Sequence, residues 1–430
     1  MQASDVMILA LLLGCMATYV PVFLCLFLAA TLGFTVYLDM PLALLVQTLF
    51  RSLDNFSLVV VLFFILCGNI MSRGKTVEKL ITLANSLVSW LPGGLGMAGV
   101  IGCGLFGAIS GSTVATVVAL GGFMIPALIK NGYDEEYTLG LMTTSPNLGV
   151  IIPPSISMIF YSMISNVSLE GLFITGFIPG VIIIGVVCLY TWLMYRNRSD
   201  IKRLPPPSLD RLFSILKDGI WALMLIIIIF GGIFSGMFTA NEAAVVASVY
   251  AFVVEIFIYR SMDFQAVKEV TISSAVTSAT LLLIVASATC FGRYLTFENI
   301  PNRVAEVVVE SIQSPVVFLL AMNVLLLVIG MFMDIISATL ILGPVFLPLL
   351  GPFGVDPMHF GLIMTVNLAI GYCTPPMGVS LFITGALAKR DIIFVSRSVM
   401  PFLAIQIGVL FFLTYFPDVV LFLPKFFGYH

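Results

Sequence analysis

Residues 121 to 154 read GGFMIPALIKNGYDEEYTLGLMTTSPNLGVIIPP, and residues 343 to 376 read GPVFLPLLGPFGVDPMHFGLIMTVNLAIGYCTPP. At a shift of 222 residues the two stretches superpose without a gap and match at Gly121/Gly343, Pro126/Pro348, Leu128/Leu350, Gly132/Gly354, Asp134/Asp356, Met142/Met364, Thr143/Thr365, Gly149/Gly371, Pro153/Pro375 and Pro154/Pro376. Roughly three matches are expected by chance in so biased a composition, and the shared glycines and prolines keep their spacing. Each stretch ends on a glycine followed by a Pro-Pro pair. Proline removes backbone donors and disfavours helix in the residue before it, while glycine permits unusual dihedrals. A helix is therefore expected to unwind over Ser145 to Ser155 and again over Asn367 to Pro376.

The surrounding chain is 430 residues long, 60% hydrophobic and only 10% charged, with a mean hydropathy of +1.14. Soluble domains carry about a quarter charged residues, so the chain belongs in a bilayer. Apolar runs such as Leu169 to Tyr195, Trp221 to Phe238 and Phe402 to Leu423 reach the ~20 residues a helix needs to cross about 30 Å of hydrocarbon. Spans are expected near 6–20, 22–38, 56–72, 137–165, 169–195, 219–238, 242–260, 268–292, 357–388 and 392–423. The start, with Asp5 and no basic segment, reads as the first span and not as a removable signal. The seven cysteines lie in apolar segments without a C-x-x-C pair and read as small packing residues.

With both termini periplasmic, the cytoplasmic side receives Arg73, Lys75, Lys79, Lys130, Arg196, Arg198, Lys202, Arg203, Arg211, Lys217, Arg260, Lys268, Lys389, Arg390 and Arg397, most of the 19 Lys and Arg residues. The positive-inside rule selects that orientation. The polar stretch Arg196 to Lys217, with Pro205 to Pro207, divides the chain. Residues 1–198 form a first repeat, 199–217 a cytoplasmic linker and 218–430 a second repeat. Five spans in each half place the second upside down relative to the first, as in many secondary transporters.

Each half also carries two short apolar arms joined by a small polar tip. The first pair, about 96–130, is Met97 to Ile109 and Val114 to Ile129 around Ser110, Gly111, Ser112 and Thr113; the second, about 315–352, is Val316 to Met333 and Ile335 to Leu350, with Asp334 and Ser337 near the tip. An arm of ~15 residues rises only about 22 Å, so each pair reads as a re-entrant hairpin. The broken helices are expected at about 137–165 and 357–388. Amphipathic stretches at 75–81 and 301–307 precede the hairpins and suit the membrane interface.

Two tips and two unwound stretches near mid-membrane make a solute site. Half-helix amino termini offer N–H groups to an anion, and freed carbonyls and hydroxyls suit Na⁺. Asp334 is the acid placed deep in an apolar run; it reads as an ion or substrate group or as a hydrogen-bonding residue of the turn. The tip serines also fit close helix packing, and the Pro-Pro breaks also fit simple kinks. Glu242, after Thr239, reads as a helix amino-terminal acid, and Glu255 as reaching the cytoplasmic interface. With His359 and His430 the only histidines and no H-E-x-x-H, G-x-S-x-G or P-loop, metal hydrolysis, a serine triad and ATP-driven pumping lack residues. The remaining classes are a secondary carrier, a passive channel and a membrane scaffold subunit.

MSRGKTVEKLITLANSLVSWLPGGLG, LFGAISGSTVATVVALGGFMIPALIKNGYD, LGVIIPPSISMIFY, GMFTANEAAVVASVYA, GMFMDIISATLIL and AIGYCTPPMGVSLF closely resemble, in order and over nearly the whole chain, the large membrane (M, DctM-like) subunit of tripartite ATP-independent periplasmic (TRAP) transporters. The resemblance implies an all-α polytopic protein of the bacterial inner membrane with an elevator-type fold similar to divalent-anion:sodium symporters. It implies Na⁺-driven import of a small organic acid, with no other cofactor and no nucleic acid. The acids this resemblance implies are dicarboxylates, sialic acid, sugar acids or keto acids, with delivery by a periplasmic binding protein. A small four-helix membrane subunit is expected as a separate polypeptide. The family's ion and substrate region maps onto Ser110, Gly111, Ser112 and Thr113, onto Ser145, Asn147, Gly149 and Pro153, onto Asp334, Ser337 and Thr339, and onto Asn367, Gly371 and Thr374. Of these, Ser110, Ser112, Gly149, Asp334, Gly371 and Thr374 are the candidates for Na⁺. No lone Arg is expected at mid-membrane, which leaves N–H groups and hydroxyls to bind the acid.

Overall fold

Helix boundaries follow local backbone chemistry throughout the chain. The computed structural model describes residues 20–198, 201 and 208–429, together with residues 7, 8, 10–12, 14, 15 and 18. Residues 6, 9, 13, 16, 17 and 19 of the expected first span, residues 199, 200 and 202–207 of the linker, including Pro205 to Pro207, and His430 lie outside the described residues. Every regular element among the described residues is helical.

Among them, six helices are long and apolar enough to cross a membrane: Thr113–Lys130, Leu169–Tyr195, Phe213–Phe234, Ala240–Ile258, Phe264–Phe297 and Ile392–Tyr415. Two further pairs qualify only when joined, Leu42–Leu53 with Ser57–Arg73, bent by 57°, and Glu135–Ile151 with Ile156–Ser165, bent by 41°. Ten spans are expected from the sequence, two of them broken, and among the described residues Val22–Tyr37 is too short to qualify. The stretch 357–388 is two shorter helices, Pro357–Gly371 and Val379–Ala388, because Pro375 and Pro376 interrupt it. Leu42–Leu53 is an additional helix with Leu42, Val46 and Phe50 exposed along one stripe. The second arm of the first hairpin, expected to be too short to span, runs for 18 residues as Thr113–Lys130.

Thr239 and Glu242 form a reciprocal cap: the Thr239 hydroxyl accepts from Glu242 N, and the Glu242 carboxylate accepts from Thr239 N. Glu242 thus has the structural role expected of it. The two amphipathic stretches are the helices Thr76–Val88 and Ile300–Ser311. Thr76–Val88 packs along Gly94–Ser110, and Ile300–Ser311 along Ile335–Leu350, so each lies beside one arm of a hairpin. Ser57–Arg73 packs against Ala240–Val253 and Phe264–Phe297, whereas Pro315–Gly330 packs on Pro357–Gly371 and Glu135–Thr144 on Ile392–Tyr415. Hairpin arms and broken helices also pack on one another, Gly94–Ser110 on Leu148–Ile151 and Ile156–Ser165 on Ile335–Leu350, and the hairpin arms meet Ser57–Arg73 and Phe264–Phe297.

Candidate ion and solute site

At the first tip, Gly94–Ser110 ends on Gly111, whose φ of 60° lies in the left-handed region that suits glycine. A Cβ there would sit 2.6 Å from the Pro154 carbonyl oxygen. Ser112 opens the next helix, its hydroxyl accepting from Ala115 N at 3.4 Å. At the second tip, Asp334 caps Ile335–Leu350, its carboxylate accepting from Ser337 N at 2.9 Å. Both tips therefore present a helix amino terminus, at Thr113 and at Ile335, with its unfilled N–H groups.

The breaks lie against the hairpins through paired glycines. A Cβ on Gly107 would meet Gly149 Cα at 2.6 Å, and one on Gly371 would meet Gly330 Cα at 2.7 Å. In each case a hairpin arm crosses a broken helix at backbone distance. At the break around Ser145, side-chain donors reach the carbonyls of Thr143 and Thr144. Cys373 Sγ–H donates to Thr143 O at 3.1 Å and Gln406 Nε2 to Thr144 O at 2.9 Å. Asn147 Nδ2 in turn donates to Gln406 Oε1 at 2.9 Å, and Asn147 Oδ1 accepts from Cys373 at 3.2 Å. Cys373 is thus a hydrogen-bonding bridge between the two breaks and more than a packing residue. On the other side Asn367 Nδ2 donates to Asn323 Oδ1 at 2.7 Å, and Asn323 Nδ2 to Thr414 Oγ1 at 3.0 Å.

A cavity of about 520 Å³ lies where the tips face Ser57–Arg73 and Phe264–Phe297. Of the expected site residues, Ser110, Gly111, Ser112, Thr113 and Asp334 line it together. Ser145, Asn147, Gly149, Pro153, Ser337, Thr339, Asn367, Gly371 and Thr374 stand behind that wall and not on it. Gly149 backs the first tip directly, since a Cβ on it would meet Ser112 O at 2.9 Å. The Thr339 and Thr374 hydroxyls each donate at 2.8 Å to a carbonyl one turn earlier in the chain, Ile335 O and Ile370 O, which leaves their oxygens free to accept. Thr113 Oγ1, Ser145 Oγ, Ser337 Oγ and Asn367 Oδ1 are buried without a hydrogen-bond partner. Buried polar atoms are almost always paired in folded proteins; the Thr138, Ser278 and Thr384 hydroxyls are unpaired as well, so the four at the expected site are part of a wider set. Among the described residues no three His, Cys, Asp or Glu side chains cluster. The donor set is hydroxyls, amides, carbonyls and the half-buried Asp334, a hard-oxygen set suited to an alkali cation.

The far wall was not anticipated from the sequence. Asn69 and Ser72 line it from Ser57–Arg73, and Thr277 from Phe264–Phe297; Tyr372 joins from beside the second break. Asn69 Nδ2 donates to Ser274 Oγ at 2.9 Å. A lone amide within an apolar helix is the signal that could have exposed Asn69 and Gln406, just as a lone acid drew attention to Asp334. Asp334 is not the most deeply buried acid. Glu255, expected to reach the interface, is fully buried, because donors from a distant turn close over it.

Residues 9–419 match the family model described as tripartite ATP-independent periplasmic transporter, DctM component. Over 439 residues the chain is 35% identical to the C4-dicarboxylate TRAP transporter large permease protein DctM of Rhodobacter capsulatus, covering 99% of this chain and 100% of that protein. It is 34% identical to the 2,3-diketo-L-gulonate TRAP transporter large permease protein YiaN of Escherichia coli (strain K12), covering 96% and 97% of the two chains. The crystal structure of the Alcanivorax borkumensis YdaH transporter superposes with a TM-score of 0.67 at 17% identity, over 89% of this chain and 90% of that one. At that identity the likeness is one of fold.

Proposed function

Because the chain belongs to the DctM component family of tripartite ATP-independent periplasmic transporters, we propose that it imports a small organic acid by secondary active, Na⁺-coupled transport. It is a large permease of the TRAP class, a multi-pass membrane transporter and not an enzyme. In the proposed cycle a periplasmic binding protein delivers the acid, and a small four-helix membrane subunit completes the assembly in the bacterial inner membrane. The relatives named for C4-dicarboxylates and for 2,3-diketo-L-gulonate support a small organic acid as cargo.

The observation that carries the Na⁺ reading is the set of unpaired buried oxygens at the tips and breaks, together with Asp334 on the cavity wall. Asp334 is the charged residue of that wall. Alone, it repels an organic anion; with Na⁺ beside it, the repulsion is cancelled and the N–H groups at Thr113 and Ile335 can take a carboxylate. Coupling follows from this: the anion binds well only after the cation.

The elevator reading and the inverted repeat belong to the same proposal. The glycine crossings Gly107/Gly149 and Gly330/Gly371 support equivalent roles for the two hairpins, and the network through Cys373 and Gln406 supports movement of hairpins and breaks as one body. The cavity between that body and Ser57–Arg73 would then be carried past a fixed wall. The test is reconstitution with the small subunit and the binding protein under separate Na⁺ and proton gradients. Uptake is expected only with Na⁺, without ATP; a full rate in its absence would overturn the reading.

A further inference from the structure

Glu255 has no part in the cycle described so far. It sits in the π-helical turn Val254–Ile258, with 0% of its surface exposed. Its carboxylate takes donors from a turn that lies 180 residues earlier in the chain: Lys75 N at 3.0 Å on one oxygen, and Thr76 N at 3.1 Å and Thr76 Oγ1 at 2.5 Å on the other. Ser261 Oγ also donates to it. Every partner is a donor, so the position demands a group that only accepts, which a carboxylate does and an amide does not. The Lys75 and Thr76 amides open the helix Thr76–Val88, whose first N–H groups have no partner within the helix, and whose dipole favours a negative charge there. Gly74 admits the carboxylate: a Cβ on it would overlap the Glu255 carboxyl carbon.

The same turn is tied to two more helices. Arg73 pairs with Glu269 of Phe264–Phe297, and Lys79 pairs with Asp218 of Leu209–Phe234 at 2.6 Å. Those pairs are partly exposed and individually weak; Glu255 is the buried tie. Immediately before the turn, Ser72 lines the solute cavity. At the other end of Thr76–Val88 the chain passes through Gly93, with φ of 75°, into the hairpin arm Gly94–Ser110.

We propose that Glu255 is a positioning residue for transport. It pins the amino end of helix Thr76–Val88 to the helix that begins at Ala240, so that the arm carrying the first hairpin turns about a fixed point. The role rests on the elevator reading, and it makes a distinct demand: loss of the pin changes the rate of the moving step and leaves the ion and solute sites intact.

The experiment uses the full chain with its small subunit and binding protein in proteoliposomes. Spin labels at Glu78 and Val249, both exposed, report the distance between the arm and the helix that holds Glu255, with no solute required. The variants are E255Q, G74A, which displaces the carboxylate sterically, and T76V, which removes a single donor and keeps the protein folded should the others fail. Uptake is read with whichever of labelled succinate, gluconate, pyruvate or sialic acid the wild type accumulates. Expected are a narrow distance distribution in the wild type that broadens in the variants, and turnover per folded carrier reduced about tenfold in E255Q and G74A and about threefold in T76V, with half-saturation for acid and Na⁺ within about twofold of wild type. Variants with an unbroadened distribution overturn the pin. Broadening with unchanged turnover of the surviving carriers, or a loss confined to abundance, overturns its role in transport. A wild type that transports with no change in distance between a label at Phe123, exposed on the hairpin arm, and one at Val249 sinks the elevator reading separately.

Discussion

Asp334→Asn separates two things that one side chain does. Its carboxylate accepts from Ser337 N at 2.9 Å and so caps Ile335–Leu350, a task asparagine performs about as well as aspartate. The substitution keeps shape and cap and removes only the charge facing the cavity. At about 4 Å from a cation, that charge is worth about 1 kcal/mol in bulk water and about 4 kcal/mol at an effective dielectric constant near 20. A half-buried group on a cavity wall lies between these limits. The Na⁺ half-saturation of uptake is therefore expected to rise at least about fivefold, with abundance and thermal midpoint close to wild type. Asp334→Ala loses the cap as well and should cost about 1 kcal/mol of stability on top. Uptake against Na⁺ concentration in proteoliposomes, alongside the thermal midpoint of the purified carrier, distinguishes the two effects. An unchanged Na⁺ curve in the asparagine variant would refute the ligation argument and leave Asp334 as a helix cap alone.

Gly371→Ala places a Cβ 2.7 Å from Gly330 Cα and is expected to cost about 1 to 3 kcal/mol through overpacking, seen as a lower thermal midpoint and reduced uptake, while Gly185→Ala, with open space around it, should be silent. Gln406→Leu leaves Asn147 Nδ2 and Thr144 O without their partners, at about 1 to 3 kcal/mol for each buried group; a midpoint within about 0.5 kcal/mol of wild type would show that the network bears no weight. Cysteines placed at Lys130 and Gly354 should be labelled by an impermeant reagent from opposite faces of the membrane, and labelling from one face would contradict the inverted repeat.

What could be read in advance was whatever acts through the backbone nearby. Pro153-Pro154 and Pro375-Pro376 forbid a continuous helix wherever they fall, and the structure ends helices at Ile151 and Gly371. The small polar tip at Ser110 to Thr113 and the acid at Asp334 were equally local, and the cavity lies between them. The far wall was legible only in part: Asn69 stands out as a lone amide in an apolar helix, whereas Ser72 and Thr277 are small hydroxyl residues that only packing turns toward the tips. Glu255 shows the same limit more sharply. At the end of an apolar run a glutamate reads as one that escapes to water, and nothing within its own helix reveals the donors 180 residues away that make burial tolerable. Leu42–Leu53 escaped notice for a different reason, because a 12-residue amphipathic helix is too short and too mixed to register as a span.

The chemistry of the wall bears on why a carrier of anions would have so few charges at its site. A fixed Arg would bind a carboxylate whether or not a cation was present, and acid could then load without Na⁺. With Asp334 as the charged group of the cavity wall and neutral oxygens around it, the charge of the site is set by what occupies it. Na⁺ beside Asp334 brings the local charge near zero, and further cations can balance an organic anion held by helix N–H groups. Loading with acid alone would instead set two negative charges together in a poorly solvated space. On the proposed reading, the states that move easily are those whose charges are balanced, and a carrier holding acid without enough Na⁺ is held back by its own desolvation. On that reading coupling needs no separate gate, and the charge at position 334, more than the shape of the cavity, is what the proposed cycle depends on.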